Sequence, residues 1–415
     1  MTRTRRSPRG FGIRGRALPL VALGLAAIAA PISLAADCTQ VSVGLTPLNE
    51  FAPGQVYLGT YPGGLYPGGS NEMPLGHRLI GLVQSQAMAP RLPSGAVGSG
   101  GRIVLMSIGM SNTTQEWCGA ANVTLPCGPT SFMTTAEPLD SINWGELTLV
   151  DGAKGGQTSS TWDAPTDPNY DRIRDTVLTP LGLSEAQVQA VWVKVANAGP
   201  TVSLPNSNAD AFQLKSQIAA IARTVRVRYP NVRLMFVSNR IYAGYATTTL
   251  NPEPYAYQSG FGVKWAIGAQ IAQLEGGPAD PATGDLSLAV APHLSWGPNL
   301  WGDGMTPRAD GLVWACADFN TDGTHPAASG RGKVANLLLN FFSTSPLSAD
   351  WFPASAPPIA DIDRDGRVGG SDMTLLLASW GAAASSGAAA TLADLNNSGV
   401  VDGADLSQVL ADWSP

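Results

Sequence analysis

Two short polar motifs have the residue types needed for covalent catalysis. Ser111 directly follows an apolar run at 103–108, and a serine that opens a helix there has an exposed hydroxyl with backbone amides nearby. Asp322 lies three residues before His325, a spacing that lets a carboxylate fix the tautomer and orientation of the imidazole. The chemistry indicated is nucleophilic attack by the serine, with the histidine as general base.

A pair of glycines supplies a third motif. Gly155 and Gly156 follow an apolar run at 147–150, and glycine lets backbone amides approach a substrate closely. Each motif also has a structural explanation. A residue such as Ser111 often caps a helix, a glycine pair often forms only a turn, and His325 could be a surface histidine. It is, however, the only one of three histidines with an aspartate three residues before it.

The surrounding pattern predicts the elements that would position these residues. Short apolar runs alternate with longer amphipathic stretches, which indicates a parallel sheet with helices on both faces. In such a sheet the carboxyl ends of the strands form one ligand-binding edge. The predicted strands are 103–108, 147–150, 191–195 and 232–237, and the predicted helices are 209–229, 260–274 and 328–342.

A second kind of chemistry is indicated near the C-terminus, where oxygen-bearing side chains recur at alternate positions. Two loops, 33 residues apart, have oxygens at loop positions 1, 3, 5 and 12 and a glycine at position 6. This is the spacing of a calcium loop, in which position 7 offers a backbone carbonyl. The candidate ligands are Asp361, Asp363, Asp365, the Arg367 carbonyl and Asp372, and then Asp394, Asn396, Ser398, the Val400 carbonyl, Asp402 and Asp405.

The residues after each loop repeat as well. Leu377 matches Leu410, and Trp380 matches Trp413, each pair at the same distance from its loop. One such loop alone could be an Asp/Gly-rich turn, but two loop and helix units in identical register favour a calcium-binding pair.

The N-terminus indicates export. Six arginines precede an apolar run at 17–30 and small residues up to Ala36, which is the pattern of a signal peptide over 1–36. Arg5-Arg6 could also be read as a twin-arginine signal. No later stretch predicts a membrane span. Loss of the six arginines would leave 19 basic and 31 acidic residues, a net charge of −12, which argues against nucleic-acid binding.

The four cysteines of an exported chain predict two disulfide bonds. Cys118 and Cys127 are close in sequence, which leaves Cys38 for Cys316, and free buried thiols are the alternative.

Composition divides the rest of the chain. The segment 37–101 is rich in glycine and proline and predicts irregular structure. The Pro/Ala/Ser-rich segment 343–358 predicts a linker, and 359–415 a small all-α calcium domain.

The region 102–342 resembles the SGNH (GDSL-like) hydrolases, esterases with a flavodoxin-like α/β fold. The resemblance implies that Ser111 is the nucleophile, His325 the base and Asp322 its orienting acid. It further implies that the Gly156 amide and the Asn197 side chain hold the oxyanion.

The motifs depart from that family at two places. Gly109-Met-Ser-Asn112 stands in place of Gly-Asp-Ser-Leu, and Val195-Ala-Asn-Ala198 in place of Gly-x-Asn-Asp. An α/β-hydrolase elbow fits less well, because Thr113 stands where its second glycine would be.

The segment 359–415 resembles a type I dockerin, which implies two bound calcium ions and a cohesin-like partner in an extracellular polysaccharide-degrading assembly. Ser398 replaces the usual aspartate at position 5 of the second loop. Positions 10 and 11 are the small residues Gly370-Ser371 and Gly403-Ala404.

The combined expectation is a secreted serine esterase, with a carbohydrate O-acetyl ester as the substrate class implied by the dockerin-like segment. A non-catalytic glycan-binding or structural protein and a lipid-directed lipase are the alternatives.

Overall fold

The apolar runs of the chain form a parallel sheet in a computed structural model that describes residues 1–2, 35–119 and 126–414. Every residue of the two central strands that flank the candidate serine is buried. The proposed signal segment lies almost entirely outside the described residues. The strands are β1 (Val56–Tyr57) and β2 (Tyr61–Pro62), which form a small hairpin, and β3 (Ile103–Gly109), β4 (Leu147–Asp151), β5 (Val188–Lys194), β6 (Leu234–Val237) and β7 (His293–Trp296), which form the sheet.

The strand order of the sheet is β4-β3-β5-β6-β7, and all neighbours are parallel. Numbered within the sheet this is 2-1-3-4-5, the flavodoxin-like order, so the predicted α/β class is confirmed. The sequence did not predict β7, because His293 and Ser295 interrupt its apolar pattern. Both side chains are nevertheless buried.

Helices flank the sheet. Long helices α5 and α6 pack against each other, and α7 packs against α2 and α3. The segment 37–101 is less irregular than expected, since it contains α1. The helices are α1 (Leu75–Gln86), α2 (Ser111–Trp117), α3 (Phe132–Ala136), α4 (Pro168–Arg172), α5 (Asp210–Arg228), α6 (Tyr255–Leu274), α7 (Ala328–Thr344), α8 (Gly370–Ala378), α9 (Ala388–Ala393) and α10 (Gly403–Ala411).

The segment 343–358 is not a free linker in its central part. Trp351 and Phe352 are 1% and 0% exposed and belong to the main hydrophobic core. The backbone is also bonded to the body, because the Asn143 amide donates to the Phe352 carbonyl at 2.9 Å. Composition alone suggested a tether because it does not weigh two large aromatic side chains that need burial.

The C-terminal segment 359–414 packs on the α/β body, and the two belong to one compact unit. Helix α9 packs against α1. Arg364 pairs with Asp350 at 2.8 Å, and Arg78 of α1 lies 3.8 Å from Asp363 of the first loop. The expected small domain therefore shares an interface with the α/β body.

Two disulfide bonds are present, Cys38–Cys316 and Cys118–Cys127, as the spacing suggested. Among the described residues no helix is long and apolar enough to cross a bilayer.

The burial of Trp351 and Phe352 in the segment 343–358 leads to a prediction about stability. Trp351→Ala should lower the free energy of unfolding by about 3–5 kcal/mol, because it opens a cavity in the core. Trp380→Ala is the matched control, since Trp380 is 49% exposed and its removal should cost far less. Urea unfolding followed by fluorescence measures both. Equal, small losses for the two variants would show that 343–358 is a free tether.

Candidate active site and calcium loops

The turn that carries Ser111 is set by a close approach of two strands. β3 ends at Gly109, which has φ +154°, and a Cβ atom there would lie 2.1 Å from the carbonyl oxygen of Lys194. Only glycine fits such a contact. Thr113 reinforces the approach, since its hydroxyl donates to the same carbonyl at 2.6 Å. Ser111 is thereby placed at the carboxyl edge between β3 and β5, where the strand order reverses.

The structure brings Ser111, His325 and Asp322 together in one hydrogen-bonded chain. The Ser111 hydroxyl lies 2.8 Å from Nε2 of His325, and Nδ1 of His325 lies 2.5 Å from a carboxylate oxygen of Asp322. The histidine and aspartate side chains are 20% and 23% exposed, so the chain opens to solvent at one end. This is the arrangement of a nucleophile, a base and an orienting acid.

Asp322 is held in its ionised form. Partial burial acts to raise its pKa, but hydrogen bonds to the carboxylate outweigh burial, and the pKa is lowered from its usual value. The backbone amides of Thr324 and His325 donate at 2.9 and 3.0 Å, and the His325 ring adds the third bond. A carboxylate that accepts three such bonds keeps Nδ1 of the histidine protonated and leaves Nε2 free to accept from Ser111.

Helix α2 is fixed by side chains of its first two turns, each of which reaches a different element. Asn112 donates to the carbonyl of Thr324 at 3.0 Å, which ties the serine helix directly to the loop of His325. Thr114 donates to Asp151 at the end of β4 at 2.5 Å. With Thr113 on Lys194, these bonds fix Ser111 relative to its base.

Beneath α2 lies a buried ion pair. Both carboxylate oxygens of Glu116 lie 2.5 Å from the ammonium of Lys194, and both side chains are 0% exposed. Burial raises the pKa of Glu116 and lowers the pKa of Lys194 to about 8, while their mutual attraction opposes both changes. Arg240, itself buried, interacts electrostatically with Glu116 and Asp322, so the ion pair belongs to the electrostatic surroundings of the triad.

The two predicted oxyanion donors lie in different settings. Gly156 is exposed, with φ +78°, on the loop 152–156 that follows β4. That loop is tied to the serine turn, because the Lys154 amide donates to the Gly109 carbonyl at 3.0 Å. Asn197 is 7% exposed and donates to Asp210 and Gln213 of α5, at 3.1 and 3.0 Å. Both amide hydrogens of Asn197 are therefore engaged away from Ser111.

Four buried charged residues around the site had no role in the sequence analysis: Glu116, Asp151, Lys194 and Arg240. Two of them, Asp151 and Lys194, are the last residues of β4 and β5, and Arg240 lies three residues after the end of β6. A charged residue directly after a predicted buried strand was the feature of the sequence that could have revealed them. Such a residue is expected to have a buried partner of opposite charge.

The first of the two predicted calcium loops brings three of its carboxylates close together. Carboxylate oxygens of Asp361, Asp363 and Asp372 lie within 4.8 Å of one another. The loop is held by its own carboxylates, since Asp361 accepts from the Asp365 and Gly366 amides at 3.1 and 3.0 Å. Hard oxygen ligands in this arrangement fit Ca²⁺.

The second loop repeats the first bond for bond. Asp394 accepts from the amides of Ser398 and Gly399 at 2.9 and 2.8 Å, and Asp405 accepts from the amide of Leu395 at 2.8 Å. In the first loop Asp372 accepts from Ile362 at 2.6 Å in the same way. Both loops have a positive φ at positions 4 and 6, on Arg364 and Gly366 and on Asn397 and Gly399.

The remaining predicted ligands lie at the rims of the loops. Asp365, Arg367 and Asn396 are exposed. Asp402 accepts from the Ala404 amide at 2.8 Å and so caps α10. The Ser398 hydroxyl donates to the Val400 carbonyl at 3.0 Å, so this predicted ligand pair is bonded internally in the second loop.

Comparison with known proteins gives structural matches alone. No family model and no curated protein matches the sequence. A GDSL-like lipase of Parabacteroides merdae matches 57% of this chain and 94% of its own at 12% identity, with a TM-score of 0.32. A carbohydrate esterase family 2 enzyme of Corynascus thermopiles matches 59% of this chain and 66% of its own at 13% identity, also with a TM-score of 0.32.

An extracellular lipase of Streptomyces rimosus covers 57% of this chain and 98% of its own, at 11% identity and a TM-score of 0.28. Two of these structural neighbours are described as lipases and one as a carbohydrate esterase. At such identities and TM-scores they assign no activity to this chain, and the geometry of its own residues must carry any functional argument.

The buried pair beneath α2 predicts a large cost when one partner is removed. Lys194→Met should destabilise the protein by about 3–5 kcal/mol, because Glu116 would be left buried and unpaired. Lys215→Met, which breaks the more exposed Lys215–Asp280 pair, should cost less than about 1 kcal/mol. Urea unfolding measures both, and the double variant Glu116→Gln/Lys194→Met should recover part of the loss. Similar costs for Lys194→Met and Lys215→Met would contradict the role of the pair.

Proposed function

We propose that the protein is a serine ester hydrolase that works through an acyl-enzyme. The observation that carries this proposal is the continuous chain from the Ser111 hydroxyl through His325 to Asp322, with 2.8 and 2.5 Å between the bonded atoms. A non-catalytic protein with a degenerate site would have no need for these two hydrogen bonds. The 2.8 Å contact lies within the range that proton transfer requires.

The proposed reaction follows from the roles of the three side chains. The Ser111 oxygen attacks the ester carbonyl while Nε2 of His325 takes the hydroxyl proton. Asp322, bonded to Nδ1, stabilises the imidazolium that forms. His325 then returns the proton to the leaving alcohol, and a water molecule, deprotonated by His325, releases the acid and restores Ser111.

The developing oxyanion needs hydrogen-bond donors at the carboxyl edge of the sheet. We assign them to the Ser111 amide and to the loop 152–156, with Gly156 as the exposed glycine of that loop. Asn197 would join them only after releasing Asp210 and Gln213, to which its amide group is bonded.

For the substrate we propose an O-acetyl ester on carbohydrate, on the strength of the dockerin-like repeat. A long-acyl ester, the substrate of the lipid-directed alternative, would need an apolar groove at Ser111. The apolar cavity of about 560 Å³ beside β4 is lined in part by Met133, Trp144 and Leu183, but Ser111, His325 and Gly156 do not line it, so this cavity does not favour a long acyl chain. Hydrolysis of p-nitrophenyl esters from acetyl to palmitoyl, beside acetylated xylan, separates the two candidates.

The triad is tested by substitution and by labelling. Ser111→Ala and His325→Ala should each lower kcat by a factor of about 10³ or more, because nucleophile and base act as a unit. A serine-directed phosphonate should label the wild type at Ser111, with loss of activity. Ser160→Ala, at an exposed serine on a neighbouring loop, is the control and should remain fully active. Ester hydrolysis that survives Ser111→Ala would refute the mechanism.

We further propose that the C-terminal loops bind two calcium ions and present a docking surface for a cohesin-like module. The matched hydrogen bonds of the two loops support the metal sites. The repeated apolar side chains support the docking surface, since Leu377, Trp380, Leu410 and Trp413 are 40–58% exposed. Large exposed apolar side chains in a repeated pattern are typical of an interaction site.

Export from the cell is part of the same proposal. The two disulfide bonds favour an oxidising compartment, and the arginine-rich, apolar N-terminus supports secretion.

Calcium should stabilise the whole unit and not the C-terminus alone, because the loops pack on the α/β body. At a calcium concentration 100 times Kd the gain should be about 2.7 kcal/mol per site, and a chelator should lower Tm correspondingly. Calorimetric titration should resolve two sites. Asp363→Ala should abolish binding at the first loop. Asn396→Ala, at the same loop position, should abolish binding at the second loop, which is the weaker site because Ser398 stands in place of an aspartate.

The serine of the second loop gives the sharper test of these calcium sites. Ser398→Asp should tighten the weaker site by adding a charged ligand. A melting curve indifferent to both calcium and chelator would refute the metal sites.

A further inference from the structure

The carboxyl group of Asp151 is buried at the edge of the sheet and has no part in the proposed reaction. It is the last residue of β4 and is 3% exposed. One oxygen accepts from the Ser107 hydroxyl at 2.5 Å and from the Ala153 amide at 3.2 Å. The other accepts from the Thr114 hydroxyl at 2.5 Å. A buried carboxylate is costly unless it is well bonded, so this one needs an explanation.

The three donors come from the three segments that assemble the site. Ser107 lies in β3, which leads to the serine turn. Thr114 lies in α2, one turn after Ser111. Ala153 lies in the loop 152–156, to which the proposed oxyanion donor belongs. Asp151 therefore links the nucleophile helix to the oxyanion loop through a single rigid group, without touching any reacting atom itself.

Gly152, the residue next to Asp151, is bonded to both β3 and Arg172. The Gly152 amide donates to the Ser107 carbonyl at 3.1 Å, and the Gly152 carbonyl accepts from the guanidinium of Arg172. A Cβ atom on Gly152 would lie 2.7 Å from the Ser107 carbonyl oxygen, so β3 and the loop are in direct contact. The start of the loop is therefore held against β3, next to the bonds that the Asp151 carboxylate makes.

The simpler explanation is that Asp151 is only a satisfied polar residue of the core. Two features go beyond that. Its partners belong to the segments that carry the proposed nucleophile and oxyanion donors, and its pKa lies close to neutral pH. Burial raises the pKa of Asp151 to about 7, against the hydrogen bonds from Ser107, Thr114 and Ala153 and the attraction of Arg172. Protonation replaces an acceptor by a donor, so one of these links must rearrange.

We propose that Asp151 is a positioning residue that holds α2 and the loop 152–156 in the relative placement that ester hydrolysis requires. The inference rests on the proposed function. It requires Asp151 to act through geometry alone, so a loss of its acceptor should reduce kcat more than it changes KM.

The test compares Asp151→Asn, which keeps the size of the side chain, with Thr114→Val, which removes one link. Kinetics with p-nitrophenyl acetate should show kcat lowered by about 10- to 100-fold in Asp151→Asn, and by less in Thr114→Val. The rate of phosphonate labelling at Ser111 should fall in parallel. Asp140→Asn, at an exposed aspartate, is the matched control and should leave both rates unchanged.

The pH profile supplies a readout that a merely structural role would not move. In the wild type the acid limb of kcat/KM should be steepened by the ionisation of Asp151 near pH 7, because the ionised form accepts all three bonds. Asp151→Asn cannot ionise, so its acid limb should be shallower. Far-UV circular dichroism and Tm confirm that each variant is folded.

The outcomes separate the inference from the function on which it rests. A wild type that hydrolyses esters and an Asp151→Asn variant with the same kcat and the same pH profile would overturn the role of Asp151 alone. A wild type that neither hydrolyses esters nor takes the label would overturn the proposed function, and the role of Asp151 with it.

Discussion

The candidate site depends on one steric constraint, the contact between the ends of β3 and β5 at Gly109. No side chain fits there, since a Cβ atom would lie 2.1 Å from a carbonyl oxygen. Because the strands meet so closely, Thr113 can reach the Lys194 carbonyl and Glu116 can reach the Lys194 ammonium. The serine helix is thus anchored to the neighbouring strand before any catalytic side chain is considered. The triad geometry is a consequence of this anchoring.

Electrostatics around the serine are arranged in two layers. The outer layer is the partly exposed triad, where amide donors keep Asp322 ionised. The inner layer is buried and consists of the Glu116–Lys194 pair, Arg240 and Asp151. Glu116, Lys194 and Arg240 interact strongly with one another because little water screens them, whereas Asp151 interacts with Arg172. Such a layer holds the fold of the site rigid, while the outer layer remains open to substrate.

Much of this architecture could be predicted from the sequence, for physical reasons. Buried parallel strands are continuous apolar runs, so β3 and β4 were predicted almost to the residue. The two C-terminal loops were located by their regular spacing of oxygen-bearing side chains, and their calcium binding stays a prediction. The Asp322 to His325 spacing predicted a contact that is local in the chain. Strand β7 and the buried segment around Trp351 were missed, because their burial is decided by tertiary packing and not by local composition.

The same limit applies to the long-range partners of the site. Lys194 and Glu116 are 78 residues apart, and nothing in either local sequence indicates the other. The oxyanion role of Asn197, which the family resemblance implied, stays a prediction. The start of α5 offers acceptors for its amide hydrogens that the linear pattern does not reveal.

The packing of the loops on the body has a consequence for how the protein would work in an assembly. An enzyme on a flexible tether samples many directions around its anchoring point. Here Arg78, Asp350 and the buried Trp351 fix the anchoring segment to the α/β body. A partner bound at the Leu and Trp side chains would hold the crevice of Ser111 at one angle. The range of positions open to Ser111 would then depend on the flexibility of the partner. The other proteins of the assembly would determine which polysaccharide chains come within that range.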